Sequence, residues 1–246
     1  MSDRHVEQQR AFYDERAHAH LQVQEQDLYA ANLATQLARR SGLTSRHRVL
    51  EVGAGFGRFT FPLLPHCGPL VALDLSSRAL VELARTRDAR GIDPARCRTL
   101  CSEIDRVEAD GAGFDFIVGF FILHHLPDVR AALAHLAGLL APGGRMAFLE
   151  PNRRNPLFVA QVVACPDMTL REEKGMFLMS PAAVREGFER GGLRPGDTDL
   201  LGFFPPQLYN RLGFARRLEA RLERARWLRS ILPFRLFRAE SSADAP

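Results

Sequence analysis

Lysine is almost missing from this chain: Lys174 is the only one among 33 lysines and arginines. Schiff-base chemistry and a lysine general base therefore have a single candidate and are set aside. Cysteine is sparse too. Cys67, Cys97, Cys101 and Cys165 form no Cys-x-x-Cys pair and have no histidine at zinc-ligand spacing beside them, which excludes a structural zinc knuckle and fits reduced thiols in a cytoplasmic protein. No apolar run is long enough to span a bilayer, and residues 1–10 are polar and charged, unlike a signal peptide. The net charge of +4 is small and dispersed, so nucleic acid is not indicated as a partner.

What is present is an ordinary hydrophobic content, 46% of 246 residues, enough for a sizeable core. Apolar residues Leu28, Ala31, Leu33 and Leu37 recur at helical spacing, so residues 4–40 read as two helices, the second stopped by Gly42. An alternation then begins. Residues 48–52, 70–74, 97–101, 114–119 and 145–150 read as buried strands. Between them, 59–64 reads as helical, Ser76 or Ser77 caps a helix to about Arg90, and Asp128 caps one running to Leu140, stopped by Pro142-Gly143-Gly144. Beyond Glu150 the rhythm changes. Residues 151–179 read as a lid or substrate-shaping insertion. Ser180-Pro181 opens a helix ending at Gly191-Gly192, 197–203 is a sixth strand, 207–231 one long helix, and 234–238 a seventh strand. The expectation is one α/β domain over 1–240: a helical cap over 1–45, a doubly wound, mostly parallel core over 46–150, substrate-shaping insertions and the last strands over 151–240, and a disordered tail over 241–246.

The chemistry concentrates where the first strand ends. Val49-Leu50-Glu51-Val52-Gly53-Ala54-Gly55-Phe56-Gly57 runs a buried strand into alternate glycines, a geometry that lets a ligand approach backbone closely in front of a helix N-terminus. A dinucleotide fingerprint would need a glycine where Arg58 stands. Glu51 would repel a diphosphate but suits a cofactor with a free ammonium group. Asp74, at the end of the second strand, can accept from both hydroxyls of a ribose.

These residues resemble those of class I S-adenosylmethionine-dependent methyltransferases. The resemblance rests on Glu51-Val-Gly-Ala-Gly-Phe-Gly57, Leu73-Asp74-Leu75-Ser76, Phe114-Asp-Phe-Ile-Val-Gly119, Leu123-His-His-Leu-Pro-Asp128 and Leu140-Ala-Pro-Gly-Gly144, in that order. It implies a Rossmann-like, seven-stranded fold with S-adenosylmethionine as cofactor and a small, apolar acceptor methylated at oxygen, nitrogen or carbon. Glu51 with Gly53, Ala54, Gly55 and Gly57 would hold the methionine part, Asp74 the ribose and Leu75 the adenine. Gly119 and Phe120 would line the sulfonium side, and Tyr13 would close over the cofactor. Where many relatives carry Gly-Asp after the third strand, this chain has Ser102 and Glu103, taken as adenine neighbours. His125 and His124 are candidate bases, and His124, Glu150 and Asn152 candidate pocket residues. The acids and histidines lack metal-ligand spacing.

The alternative is a binding module with this fold that no longer catalyses, or a membrane-docked partner subunit. The predicted helix over 207–231 keeps three readings open. Phe214, Leu218, Leu222, Ala225 and Leu228 form a stripe among arginines. It packs on the domain, lies on an anionic membrane through 208–231, placing the protein peripherally there, or joins two copies as a homodimer.

Overall fold

The computed structural model describes residues 27–109, 111–155 and 179–241; the expectations for Tyr13, the first N-terminal helix, most of the insertion after Glu150 and the tail beyond Ser241 lie outside them, while Ser241 itself, expected in the disordered tail, pairs with Leu193 in the last strand. Eight strands form one sheet in the order β3-β2-β1-β4-β5-β8-β6, with β7 also on β8. They are β1 (Val49–Val52), β2 (Leu70–Asp74), β3 (Cys97–Cys101), β4 (Phe114–Phe120), β5 (Leu140–Pro151), β6 (Leu193–Pro195), β7 (Asp199–Leu201) and β8 (Phe234–Ser241). β1 to β5 are parallel, and β8 runs antiparallel to β5. All four β1 residues are buried, as befits a central parallel strand covered on both faces.

The helices are α1 (Leu28–Ser41), α2 (Thr60–Leu63), α3 (Ser77–Ala89), α4 (Val129–Ala137), α5 (Pro181–Arg190), α6 (Pro206–Arg211) and α7 (Gly213–Leu222). Leu33 and Leu37 of α1 and Leu80 and Leu83 of α3 pack with Phe116, Val118 and Phe120 on one sheet face. Leu133 of α4 and Val184 and Phe188 of α5 pack with Ile117, Met146 and Phe148 on the other. The period-two alternation along β4 thus feeds two separate cores. The predicted caps form: Ser76 Oγ accepts from Ala79 N at 3.1 Å, Asp128 Oδ1 from Arg130 N and Ala131 N at 3.0 and 3.1 Å, and Ser180 Oγ from Ala183 N at 3.1 Å.

Three expectations are corrected. The sheet has eight strands, not seven, because the sixth position is a broken strand: β6 pairs with Ala239–Ser241 and β7 with 234–236 along the same edge of β8. Arg238 fills the break, donating to Asp197 O at 3.1 Å, while Gly196 N donates to Arg238 O at 2.9 Å. Second, α4 ends at Ala137 rather than Leu140, since Leu139 O accepts from Phe114 N at 2.9 Å and draws the chain into β5 early. Pro142-Gly143-Gly144 then lies inside that strand, where the pairing jumps from Phe114↔Leu140 to Phe116↔Arg145. Third, the long helix is two short ones. Leu212 is extended (φ −113°, ψ 108°) and α7 gives out at Leu222. Only Gly213 marks the first break in sequence, and glycine is a poor helix former.

Candidate functional site

Sheet order reverses between β1 and β4, the place where an open α/β sheet leaves a crevice at its carboxyl ends. The glycine loop lies there. Gly53 and Gly55 both have positive φ, +74° and +52°, but for different reasons. A Cβ at Gly53 would strike Ile122 at 2.7 Å, so that glycine serves packing. A Cβ at Gly55 would meet nothing within 4 Å, so the backbone there faces open space. Gly55 N donates to Asp74 Oδ2 at 2.7 Å, and Ser76 N donates to Asp74 Oδ1 at 2.9 Å. A carboxylate oxygen can accept more than one hydrogen bond. Ser102 N donates to Asp74 O at 3.2 Å, which sets Ser102 and Glu103 next to Asp74 and Leu75. The Ser102 hydroxyl donates to Glu103 O at 3.1 Å, and Arg106 engages the Glu103 carboxylate at 3.3 Å.

Glu51 sits under the loop, buried, and its Oε2 has no hydrogen-bond partner among the described residues. Burial pushes its carboxyl up to about 7; the nearby Thr60 hydroxyl works against this and the Asp74 charge adds to it. A buried acid with an unsatisfied oxygen is costly unless a ligand completes it. An ammonium group would do so.

The second half of the site is a carboxylate–imidazole pair that the sequence offered only as separate candidates. Glu150, fully buried at the end of β5, accepts from Ile122 N and Leu123 N through Oε1 at 2.9 and 2.8 Å. Its Oε2 lies 2.6 Å from His124 Nδ1. The backbone bonds fix the loop after β4, and the second oxygen fixes the imidazole. With Nδ1 donating to the carboxylate, Nε2 is the nitrogen that carries the lone pair. His125 lies beside it, ring centroids 4.0 Å apart with the planes tilted by 42°, and is half-buried. The structure thus anchors His124, whereas the sequence reading set His125 marginally ahead.

Asn152 turns out to brace the wall. Its Nδ2 donates to Ser230 O and Leu232 O at 3.0 and 2.8 Å, and its Oδ1 accepts from Arg154 N at 3.2 Å. Its side-chain polar groups are all engaged by backbone, which makes it part of the scaffold there. Gly119 is likewise closed in, since a Cβ there would strike Ile122 and Phe148 at 2.7 and 2.8 Å. Phe120 stacks on Phe59 at 4.5 Å, and Phe121, the one described non-glycine residue with positive φ (56°), packs against Phe59 and Phe234 at 5.5 and 5.2 Å. Tyr29 meets Phe234 and Tyr209 at 6.1 and 5.7 Å. This aromatic cluster was missed in sequence because its members come from five separated segments.

Also unforeseen is what Arg58 does. Its Nε donates to Asp27 Oδ2 at 2.8 Å, while Asp27 Oδ1 caps α1 through Ala30 N and accepts from Asn210 Nδ2. Burial pushes the Asp27 carboxyl up, but Arg58 and these hydrogen bonds more than offset it and leave it below the usual value. The glycine loop, α1 and α6 are therefore tied together at one carboxylate.

Residues 50–146 match the methyltransferase-domain family. An uncharacterized methyltransferase of Mycobacterium bovis is 38% identical over 121 residues, 48% of this chain and 59% of that protein, so the chain spans about three fifths of the length of that curated relative. A ubiquinone biosynthesis O-methyltransferase of Coxiella burnetii is 26% identical over 167 residues, 66% of this chain and 70% of that one. The N-methyltransferase NodS of Bradyrhizobium japonicum, solved with S-adenosyl-L-homocysteine, superposes with a TM-score of 0.60 at 17% identity over 97% of this chain and 99% of NodS. That likeness concerns the methyltransferase fold.

Proposed function

We propose that this methyltransferase-fold chain binds S-adenosylmethionine and transfers its methyl group to a small apolar acceptor. The single observation that carries the reading is the orphaned, buried Glu51 carboxylate beneath a glycine loop that is open at Gly55. Those features fit a cofactor with an ammonium group and no phosphate. Bound S-adenosylmethionine supplies an activated methyl on a sulfonium centre.

The chain's own residues have four tasks. Glu51 meets the ammonium, and Asp74 accepts from the ribose hydroxyls. Ser102 and Glu103 border the adenine side with Leu75. Phe59, Phe120, Phe121 and Phe234 exclude water and offer apolar, aromatic surface to the acceptor, which favours in-line transfer by holding reactants together. Where the acceptor carries a proton, His124 would be the base that takes it, with Glu150 holding the ring at Nδ1.

The test is turnover: S-adenosylmethionine carrying a labelled methyl group is incubated with the full chain and a panel of apolar phenols, amines and quinol-type compounds. Labelled product with stoichiometric S-adenosylhomocysteine is the expected result. Tight cofactor binding with no product from any acceptor would favour the silent module.

A further inference from the structure

Helix α7 is fastened to the domain by carboxylates, not by its apolar stripe. Glu219, buried, accepts from Phe203 N and Phe204 N through Oε2 at 3.0 and 2.9 Å and from Asn32 Nδ2 through Oε1 at 3.3 Å. Glu223 accepts from Gly202 N at 2.7 Å and pairs with Arg40 at 3.1 Å. Ala215 is the other buried residue of this helix. The large hydrophobics point away: Phe214 is 57% exposed and Leu218 38%, with Leu208 of α6 at 43% and Trp227 and Ile231 beyond α7 at 79% and 38%. Five of the seven large exposed hydrophobics among the described residues fall in this one stretch. Domain packing, one of the three readings of the stripe, therefore does not account for Phe214 and Leu218.

The charge on the same face has one sign. Arginine follows three residues after each outward hydrophobic of α6 and α7: Leu208 and Arg211, Phe214 and Arg217, Leu218 and Arg221. Residues three apart share a helix face. These arginines with Arg224, Arg226 and Arg229 are exposed, and their guanidinium groups make no hydrogen bond or ion pair to described residues. Residues 206–231 hold seven arginines against two glutamates, +5, whereas the whole chain is +4. Both glutamates are the inward clamps, so no acid of this stretch lies on the face.

We propose that α6, α7 and the turn leading to β8 form a docking face for an anionic membrane surface. The apolar side chains enter the headgroup boundary and the arginines meet lipid phosphates. The face borders the crevice: α6 contributes Tyr209 to the aromatic cluster and Asn210 to the Asp27–Arg58 tie, and Asn152 and Asn155 grip the carbonyls of Ser230, Ile231 and Leu232. Docking would thus turn the mouth of the site toward the bilayer, where apolar molecules partition. The surface stands on exposure and charge alone and does not require the methyl-transfer reading.

The chain carries one tryptophan, and it lies on this face. Trp227 emission therefore reads docking directly. The full chain is mixed with phosphatidylcholine vesicles with and without phosphatidylglycerol, following flotation and Trp227 emission. The expected result is flotation with the anionic vesicles only, a blue shift of Trp227, and weakening with salt. Replacing Arg217, Arg221 and Arg224 by Gln should weaken binding about a hundred-fold, at about five-fold per arginine. The pair Phe214→Ser and Leu218→Ser should weaken it at least ten-fold while leaving its salt dependence and the unfolding curve unchanged, because both side chains are exposed. No flotation, or equal binding to phosphatidylcholine alone, would overturn the proposal. So would a dimer in sedimentation velocity that the Phe214→Ser/Leu218→Ser pair dissociates while vesicles capture nothing, which would make the face a contact between copies.

Discussion

Replacing Glu51 by Gln should make the ligand-free protein more stable at pH 8 and make it a poorer binder of S-adenosylmethionine. The folded carboxyl titrates near 7, against 4.5 for an ordinary glutamate, chiefly because it is buried. Between those values the folded state keeps a proton that the unfolded chain has lost. The contribution is therefore fully present below about pH 4.5, declines as pH rises, and is gone above about 7. At 1.36 kcal/mol per unit the loss is roughly 3 kcal/mol. Gln carries no charge to bury, but its amide is imperfectly partnered at a cost of about 1–2 kcal/mol. The net expectation is a gain of about 1–2 kcal/mol for Glu51→Gln at pH 8 and a loss at pH 5. Urea unfolding of both proteins at a series of pH values reads this directly. Glu219, also raised to about 7 by burial, titrates in both proteins and cancels in the difference. Cofactor affinity should move the opposite way: it should strengthen in the wild type from pH 6 to 8 as Glu51 ionises, and be weaker and flat in Glu51→Gln. If the substitution destabilises by the same amount at pH 5 and pH 8, Glu51 is not a strained buried acid and the reasoning fails.

Other expectations follow from single contacts. Asp74→Ala should weaken S-adenosylhomocysteine binding ten- to hundred-fold, since charged hydrogen bonds contribute about 1.5–3 kcal/mol; unchanged affinity by calorimetry would remove Asp74 from the ribose. Gly55→Ala should leave a folded protein, strained by about 1 kcal/mol at φ +52°, that binds cofactor poorly, whereas Gly53→Ala should mainly lower the melting temperature by driving a methyl into Ile122. A Gly55→Ala protein with normal affinity would show that ligand does not approach there. Glu150→Ala should cost about 3 kcal/mol in urea unfolding, because Ile122 N, Leu123 N and His124 Nδ1 all lose their acceptor; a cost below about 0.5 kcal/mol would contradict the bracing role.

Much of this molecule is legible in sequence where a local rule and the tertiary structure agree. β2 and β3 have the boundaries their apolar runs announce, and Asp128 and Ser180 cap the helices they precede. Gly42 stops α1 in the left-handed conformation, as glycine at that position does. The order of the motifs also brings Gly55, Asp74 and Glu150 to one end of the sheet. What sequence hides is whatever long-range contacts decide. Nothing near Leu140 tells that Phe114 will pull Leu139 out of its helix. The stripe from Phe214 to Leu228 looks like a helix turned inward, because period alone does not say which face meets the domain. Glu219 and Glu223 settle that face through backbone groups at 202–204, which no spacing rule anticipates. The Glu150–His124 pair spans 26 residues of sequence, and both were visible only as separate polar residues at strand ends.

The most direct measurement is a calorimetric titration of the full chain at pH 8 with S-adenosylmethionine and S-adenosylhomocysteine. The account predicts saturable binding of one molecule per chain for each, lost or much weakened in Glu51→Gln. No heat of binding for either compound with folded protein would contradict it, because the open loop at Gly55 and the buried acid beneath it would then serve some other ligand.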